Sequence, residues 1–352
     1  MKTGMRWLKT FFITIIVCLL IWAGIVIYID PFFHYHRPLE GFPYIVDDQV
    51  DMNPGLARHL DYDSVLLGSS MVVNFNTDLF KELGLKTAKL PYNGAYPKDQ
   101  SNILNIIFDA KKDSLKQVFI GVDELNYSGG VDETKFPITD YLYDKNPLND
   151  VKYLFNKDVM LNYCIKPVFD RSDSTEWNMI YPFWWQDEHY QKALVLMYYE
   201  EAQPVKDGAS CDEYIEAIKR NLDTNILPYI EAHPETEFTI FYPPYSILYW
   251  NDVCNKGELD TVMEKYRYMS RRFLEYDNVK LFFFPNREDI ICDLNNYADY
   301  THYSPKVCEY MVQCFADDEC RVDESNLDEE IDKLYDLTSD YDYDAIWDDW
   351  YN

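Results

Sequence analysis

The sequence predicts an α/β protein, a three-layer α/β/α arrangement around a mostly parallel five-stranded sheet, preceded by one N-terminal transmembrane helix. Three observations carry this expectation. The chain opens with nineteen consecutive uncharged residues, 11–29, placed after Lys2, Arg6 and Lys9. Between about 60 and 310, short apolar runs alternate with segments of helical period, the pattern of βαβ units. Four of the five short runs are continuously apolar, as strands buried on both faces of a parallel sheet must be.

The first element, FFITIIVCLLIWAGIVIYI (11–29), spans roughly 28 Å as a helix at about 1.5 Å per residue, close to the hydrocarbon thickness of a bilayer. No small-x-small cleavage site follows Gly24, so the segment reads as an uncleaved signal anchor. Basic residues on the short leading side place residues 1–10 in the cytoplasm and everything after Asp30 outside it, in a single-pass protein of the cell membrane. Residues 30–59 form the membrane-exit linker, beginning with IDPFFHYHRP. Its rings suit the headgroup layer, and His34 and His36 lack an acidic or Cys partner at metal-ligand spacing, so neither a metal nor a cofactor is expected.

The globular part is expected over 60–315. Strands are predicted at 64–70, 87–92, 117–123, 237–244 and 279–285, and helices at 77–84, 99–112, 211–233 and 257–276. A Tyr- and Trp-rich insertion at about 126–210, including YPFWWQDEHY (181–190), reads either as a wall over the site or as packed aromatic core. The tail, 316–352, holds fifteen acidic and two basic residues. Such a run is expected to stay solvated, and its aromatic end, YDYDAIWDDWYN, leaves open a role in binding a partner or a glycan.

Composition narrows the function. Across 352 residues, 61 Asp and Glu stand against 32 Lys and Arg, a formal charge of −29. Phosphate backbones are bound by clustered Lys and Arg, so a nucleic-acid partner is excluded. A hydrophobic fraction of 47% and an aromatic fraction of 17% exclude a disordered chain. The eight cysteines include no Cys-x-x-Cys pair, which removes zinc-ribbon and thioredoxin-like readings. Disulfides among the last four cysteines and free buried thiols both remain open.

Two motifs carry chemistry. Ser69 and Ser70 stand in VLLGSSMVV, where a serine at a strand-to-helix turn exposes its hydroxyl at the top of the sheet beside N–H groups that can receive an oxyanion. Asp299 and His302 stand in NNYADYTHYSP, after the last strand. Three residues apart, the carboxylate can hold the imidazole tautomer while the ring faces a nucleophile from another strand. The order, nucleophile after the first strand and Asp-x-x-His after the last, gives the pair meaning. His59, His189 and His233 have no partner at catalytic spacing; Tyr242, Pro243, Pro244 and Tyr245 follow a strand and can wall a site.

This combination resembles the SGNH (GDSL-like) hydrolase superfamily over roughly residues 60–310. With the anchored N-terminus, DPFFHYH, GSS and DYTHYS, it looks more narrowly like the membrane-tethered SGNH-like proteins of bacterial envelope acylation, the alginate O-acetylation and DltD-like groups. The resemblance implies Ser70 as nucleophile, His302 as general base and Asp299 as its orienting partner. It implies an oxyanion hole from the N–H groups of Ser70 and Gly94, with Ser69, Asn93, Asp123 and Asn126 as further oxyanion or substrate contacts. In the third block the family's Gly-x-Asn-Asp appears as Gly121-Val122-Asp123-Glu124. A carboxylate therefore replaces a side-chain amide donor, and Asn126 is the nearest substitute.

The first functional expectation is a membrane-anchored serine esterase or O-acyltransferase acting on acyl groups, acetyl above all, of an envelope glycan through an acyl-enzyme. The second is a non-catalytic accessory that docks on a membrane-bound O-acyltransferase or binds a glycan. A phosphate-handling enzyme lacks both a Gly-rich phosphate loop and carboxylates at metal spacing.

Overall fold

A computed structural model describes residues 2–181, 187–205 and 209–347. Its chain divides into two compact units, one formed by Met1–Asp61 with Phe136–Tyr181 and the other by Tyr62–Lys135 with Pro182–Asn352.

The second unit is built on a six-stranded sheet. Its strands are β1 (Ser64–Leu67), β2 (Thr87–Lys89), β3 (Gln117–Gly121), β4 (Glu237–Tyr242), β5 (Val279–Phe283) and β6 (Arg321–Val322), in the order β2-β1-β3-β4-β5-β6. The first five are parallel, and β6 runs antiparallel to β5 along the edge. The expected count of five strands is therefore corrected to six. The extra strand is only two residues long and comes from the acidic tail, where no apolar run announces it. Phe119, Phe241 and Phe282 meet Phe315 of the helix Pro305–Asp317. Phe238 meets Phe108 of the helix Pro97–Lys111, while Tyr242 and Phe283 meet Tyr266 of the helix Leu259–Leu274.

Local sequence explains the helix boundaries. Ser210 and Glu213 form a reciprocal capping box at the start of Cys211–Asn221, satisfying two N–H groups that a helix end leaves bare. Gly84 closes the 3₁₀ turn Thr77–Leu83 at φ 73°, a conformation that favours glycine. The tail is not a solvated strand of charge: Leu327, Ile331, Leu334 and Thr338 form a buried stripe of the helix Leu327–Asp340, which packs on Leu259–Leu274. Arg271 reaches Asp328 at 2.9 Å, and Arg267 pairs with Asp332. All eight cysteines are free, with Cys314 and Cys320 Sγ atoms 3.9 Å apart.

The first unit begins with Lys2–Ile29, of which Gly4–Ile29 is long and apolar enough to cross a membrane. The chain leaves this helix through a buried carboxylate. Asp30 accepts the N–H groups of His34, Tyr35 and His36 and the Tyr153 hydroxyl, at 2.7–3.0 Å. His36 lies between the carbonyls of Ile27 and Arg37. Burial lowers its pKa, but these two acceptors and Asp30 raise it further, and a cation suits a helix C-terminus. His34 Nε2 faces Asp150 at 3.3 Å. Residues 30–59 thus form folded structure. The helix Gln49–His59 presents Gly55 so close to the exit turn that a Cβ there would lie 2.0 Å from the Phe32 carbonyl oxygen. Arg58 donates to the carbonyls of Leu142, Tyr143 and Asp144. The aromatic insertion is split between the units, 136–181 joining the N-terminal segments and 187–205 the sheet; residues 182–186 of YPFWWQDEHY, and 348–352 of the tail, lie outside the described residues.

Asp30→Ala would orphan three N–H groups and one hydroxyl in a buried turn, so we expect a loss of about 3–5 kcal/mol, the range for breaking a buried charged contact. Urea denaturation of the detergent-solubilised chain, followed by near-ultraviolet circular dichroism, checks this.

Candidate active site

Five parallel strands end at one edge, and the loops beyond those ends hold every candidate residue. After β1, Gly68 adopts φ 155°, and a Cβ on it would sit 2.7 Å from Val72 Cγ1. Gly121 at the end of β3 is equally crowded, its Cβ position 2.9 Å from the same methyl. These two glycines let the turn lie close to the sheet. Ser69 caps the 3₁₀ turn Ser70–Val72, its Oγ accepting the Met71 N–H at 3.1 Å.

Ser70 and His302 are 232 residues apart and share a hydrogen bond, Oγ to Nε2, of 2.9 Å. His302 Nδ1 lies 2.7 Å from Asp299 Oδ2. An ionised carboxylate can only accept, so Nδ1 carries the proton of the neutral ring and Nε2 is left to accept from the Ser70 hydroxyl. Asp299 is itself held by the N–H groups of Thr301 and His302, both at 2.8 Å, and by the Thr301 hydroxyl at 2.9 Å. Burial raises the Asp299 carboxyl pKa, but the hydrogen bonds and charge of His302 and the N–H groups outweigh it and bring it from 3.8 down to about 2. The loop is tied to the loop after β4 by Tyr297 Oη to the Pro244 carbonyl (2.8 Å) and Ser246 Oγ to the Tyr300 carbonyl (2.6 Å).

The loop after β2 is fastened to the turn that holds Ser70 by the Tyr92 N–H on the Gly68 carbonyl, 3.0 Å. Gly94 follows at φ 66°, half-buried, with Lys135 Cε 3.0 Å from where a Cβ would be. Among the described residues, neither the Ser70 nor the Gly94 N–H donates to a backbone carbonyl outside the regular elements. Asn93 is exposed.

Asp123 is buried beneath the turn, where the hydroxyls of Ser69 and Tyr245 both donate to it. Burial raises its pKa against the pull of those donors and of His302. Its carboxylate is thus engaged by two hydroxyls, one of which, that of Ser69, also caps the Ser70–Val72 turn. Asn126 is half-buried in the turn Glu124–Ser128, and its N–H donates to the Asp123 carbonyl at 3.0 Å. No hydrogen bond joins its side chain to Ser70 or His302 among the described residues.

Sequence reasoning missed three supports. Lys89 is fully buried in β2 and donates to the carbonyls of Val73 and Phe75, the latter at 2.9 Å, clamping the chain just after the Ser70–Val72 turn. Burial brings its ammonium down to about 7. A lone Lys in the apolar run TAKL was the available signal. Asn74 donates to the Tyr303 carbonyl and the Tyr190 hydroxyl, both at 3.0 Å. Glu124 accepts from Lys265 (3.2 Å) and Tyr249 (3.0 Å). The remaining histidines do other work: His233 stacks on Phe108 at 3.7 Å, and His59 Nε2 meets the His34 carbonyl at 3.3 Å; His189 is half-buried.

No protein-family model, curated protein or solved structure matches this chain.

The lowered Asp299 value fixes the sign of its pH dependence. A carboxyl depressed by folding adds stability that is complete above its ordinary value and is lost as pH falls through its folded one. Asp299→Asn should therefore flatten the loss of stability between pH 3.8 and about 2. Thermal unfolding midpoints of both proteins across this range check it.

Proposed function

We propose that this protein is a serine esterase or O-acyltransferase, anchored by its N-terminal helix with the rest of the chain outside the cytoplasm, that forms an acyl-enzyme on Ser70. The observation that carries the reading is the continuous hydrogen-bonded chain Ser70–His302–Asp299 at the carboxyl edge of a parallel sheet. We read the scaffold as a three-layer α/β/α fold. The Phe315 contacts and the Phe108 and Tyr266 contacts engage alternate residues of the strands, and successive strand residues point to opposite faces.

In the proposed reaction Ser70 Oγ attacks the carbonyl carbon of an ester, and its proton passes to His302 Nε2. The C=O electron pair moves onto oxygen, where the N–H groups of Ser70 and Gly94 receive it. Collapse of this intermediate breaks the bond to the leaving alkoxide, which takes the proton from Nε2. Water or an acceptor hydroxyl then repeats the sequence in reverse and frees Ser70. Asp299 holds the ring and stays ionised throughout. The substrate class, an acylated envelope glycan, and a membrane-bound O-acyltransferase as partner rest on the resemblance of the sequence blocks.

The accessory reading draws on Asp123. A carboxylate stands where the resembling family supplies an amide donor, and one lost oxyanion donor costs about 3 kcal/mol. In the enzyme reading Asp123 serves the turn through Ser69, and the two N–H groups bear the oxyanion alone.

With p-nitrophenyl acetate and the full chain in detergent, wild type should release p-nitrophenol, and Ser70→Ala or His302→Ala should lower kcat/KM by about 10⁴-fold or more. A folded wild type no faster than either variant would overturn the enzyme reading in favour of the accessory one.

A further inference from the structure

The first unit carries an apolar surface that the reaction does not use. The helical segment Val159–Phe169 buries Met160, Cys164 and Pro167 and leaves Leu161, Ile165, Val168 and Phe169 exposed, Phe169 by 85%. Val151 and Phe155, just before it, are exposed as well. A contiguous apolar patch of this kind on a water-soluble surface marks an interaction site.

The N-terminal helix shows what covers the patch. Of residues 4–29, only Trp22, Ala23, Val26 and Ile29 are shielded within the protein. They recur at helical spacing on one face of its last two turns. The elements Val151–Leu154 and Val159–Ile165 both contact this helix. At the junction, Phe32 stacks on Tyr153 and meets Tyr163 edge-on, with ring centroids 5.5 and 5.1 Å apart. From Trp22 to Ile29 is about 10 Å of helix rise. A segment packed against the outer turns of a membrane span shares their depth, and its outward side chains then meet acyl chains instead of water.

We propose that residues 151–169 form an interfacial membrane-binding element that lies in the outer leaflet beside the anchor and fixes the angle at which the first unit leaves the bilayer. This rests on the anchor spanning the membrane. Depth and composition agree, because interfacial helices sink about 5–10 Å into the headgroup and acyl boundary and carry basic residues beside the apolar face. Lys152 and Lys157 are exposed along the segment beside one exposed acid, Asp158, and Lys166 is exposed with its Nζ paired to Asp173 at 2.6 Å, in a chain of net charge −29. The stems of Lys152 and Lys157 can lie along the acyl chains while their ammonium groups reach phosphate. Tyr163, half-buried with its hydroxyl on Asp47 at 2.9 Å, supplies an amphipathic ring of the kind that favours this layer.

The test reconstitutes the full chain alone in phosphatidylcholine nanodiscs containing a phosphatidylcholine with a diazirine at mid-acyl depth. After photolysis, lipid adducts are mapped by peptide mass spectrometry. Adducts on both 11–29 and 159–169 are expected, and the double variant Leu161→Glu, Phe169→Glu should lose those in 159–169 while keeping those in 11–29. Adducts on 11–29 with none on 159–169 would overturn the proposal with the span intact and leave the face to a protein partner. Adducts on neither segment would overturn the span as well.

Discussion

A parallel sheet delivers the carboxyl ends of all its strands to one edge, and the candidate site depends on that constraint. Ser70 follows β1, Gly94 follows β2, Asp123 follows β3, Tyr245 follows β4, and Asp299 and His302 follow β5. No local motif could bring these residues together, since they span more than two hundred positions of sequence. Strand register does so, with Leu66, Phe119, Thr239 and Lys280 aligned across four strands. Loops at such an edge are where open α/β sheets build their sites.

Beneath the edge lies a set of polar groups that would be costly if left unpaired. Lys89 clamps the carbonyls after the Ser70–Val72 turn, Asp123 gathers the hydroxyls of Ser69 and Tyr245, and Glu124 takes Lys265 and Tyr249. Tyr245 and Tyr249 stack at 4.3 Å, joining the Asp123 and Glu124 clusters. Buried networks of this kind rigidify what they touch when every member is satisfied. Here they touch the turn that holds Ser70, where the proposed reaction would need preorganised geometry most.

Much of this was legible in the sequence because buried parallel strands leave continuous apolar runs. SVLL, QVFIG, EFTIFY and VKLFF all became strands within runs expected to be strands. The ends were less legible. Phe284 and Pro244 lie beyond the last paired residues, since apolar character continues into the loops that close over the edge. The tail was harder to read. Leu327, Ile331, Leu334 and Thr338 recur at helical spacing, yet the surrounding acidic charge, part of which Arg267 and Arg271 neutralise at Asp332 and Asp328, obscured the stripe. The joining of 136–181 to the N-terminal segments left no periodic trace at all. It depends on individual long-range contacts, among them Arg58 to three carbonyls, Asp30 to Tyr153 and Phe32 to Tyr163, whose partners lie about a hundred residues away. At the site, the Ser70 and Asp299/His302 blocks stood out by residue type and order. The role of Asp123 did not, because only packing shows which way a carboxylate turns.

The central claim is that His302 makes the Ser70 hydroxyl a nucleophile. Fluorophosphonates phosphonylate activated serines and leave ordinary ones alone, so the direct measurement is intact-mass and peptide mapping of the full chain after exposure to a fluorophosphonate. The account predicts a single adduct, located on Ser70 and absent from His302→Ala. An unmodified protein, or an adduct on Ser70 that persists in His302→Ala, would contradict it.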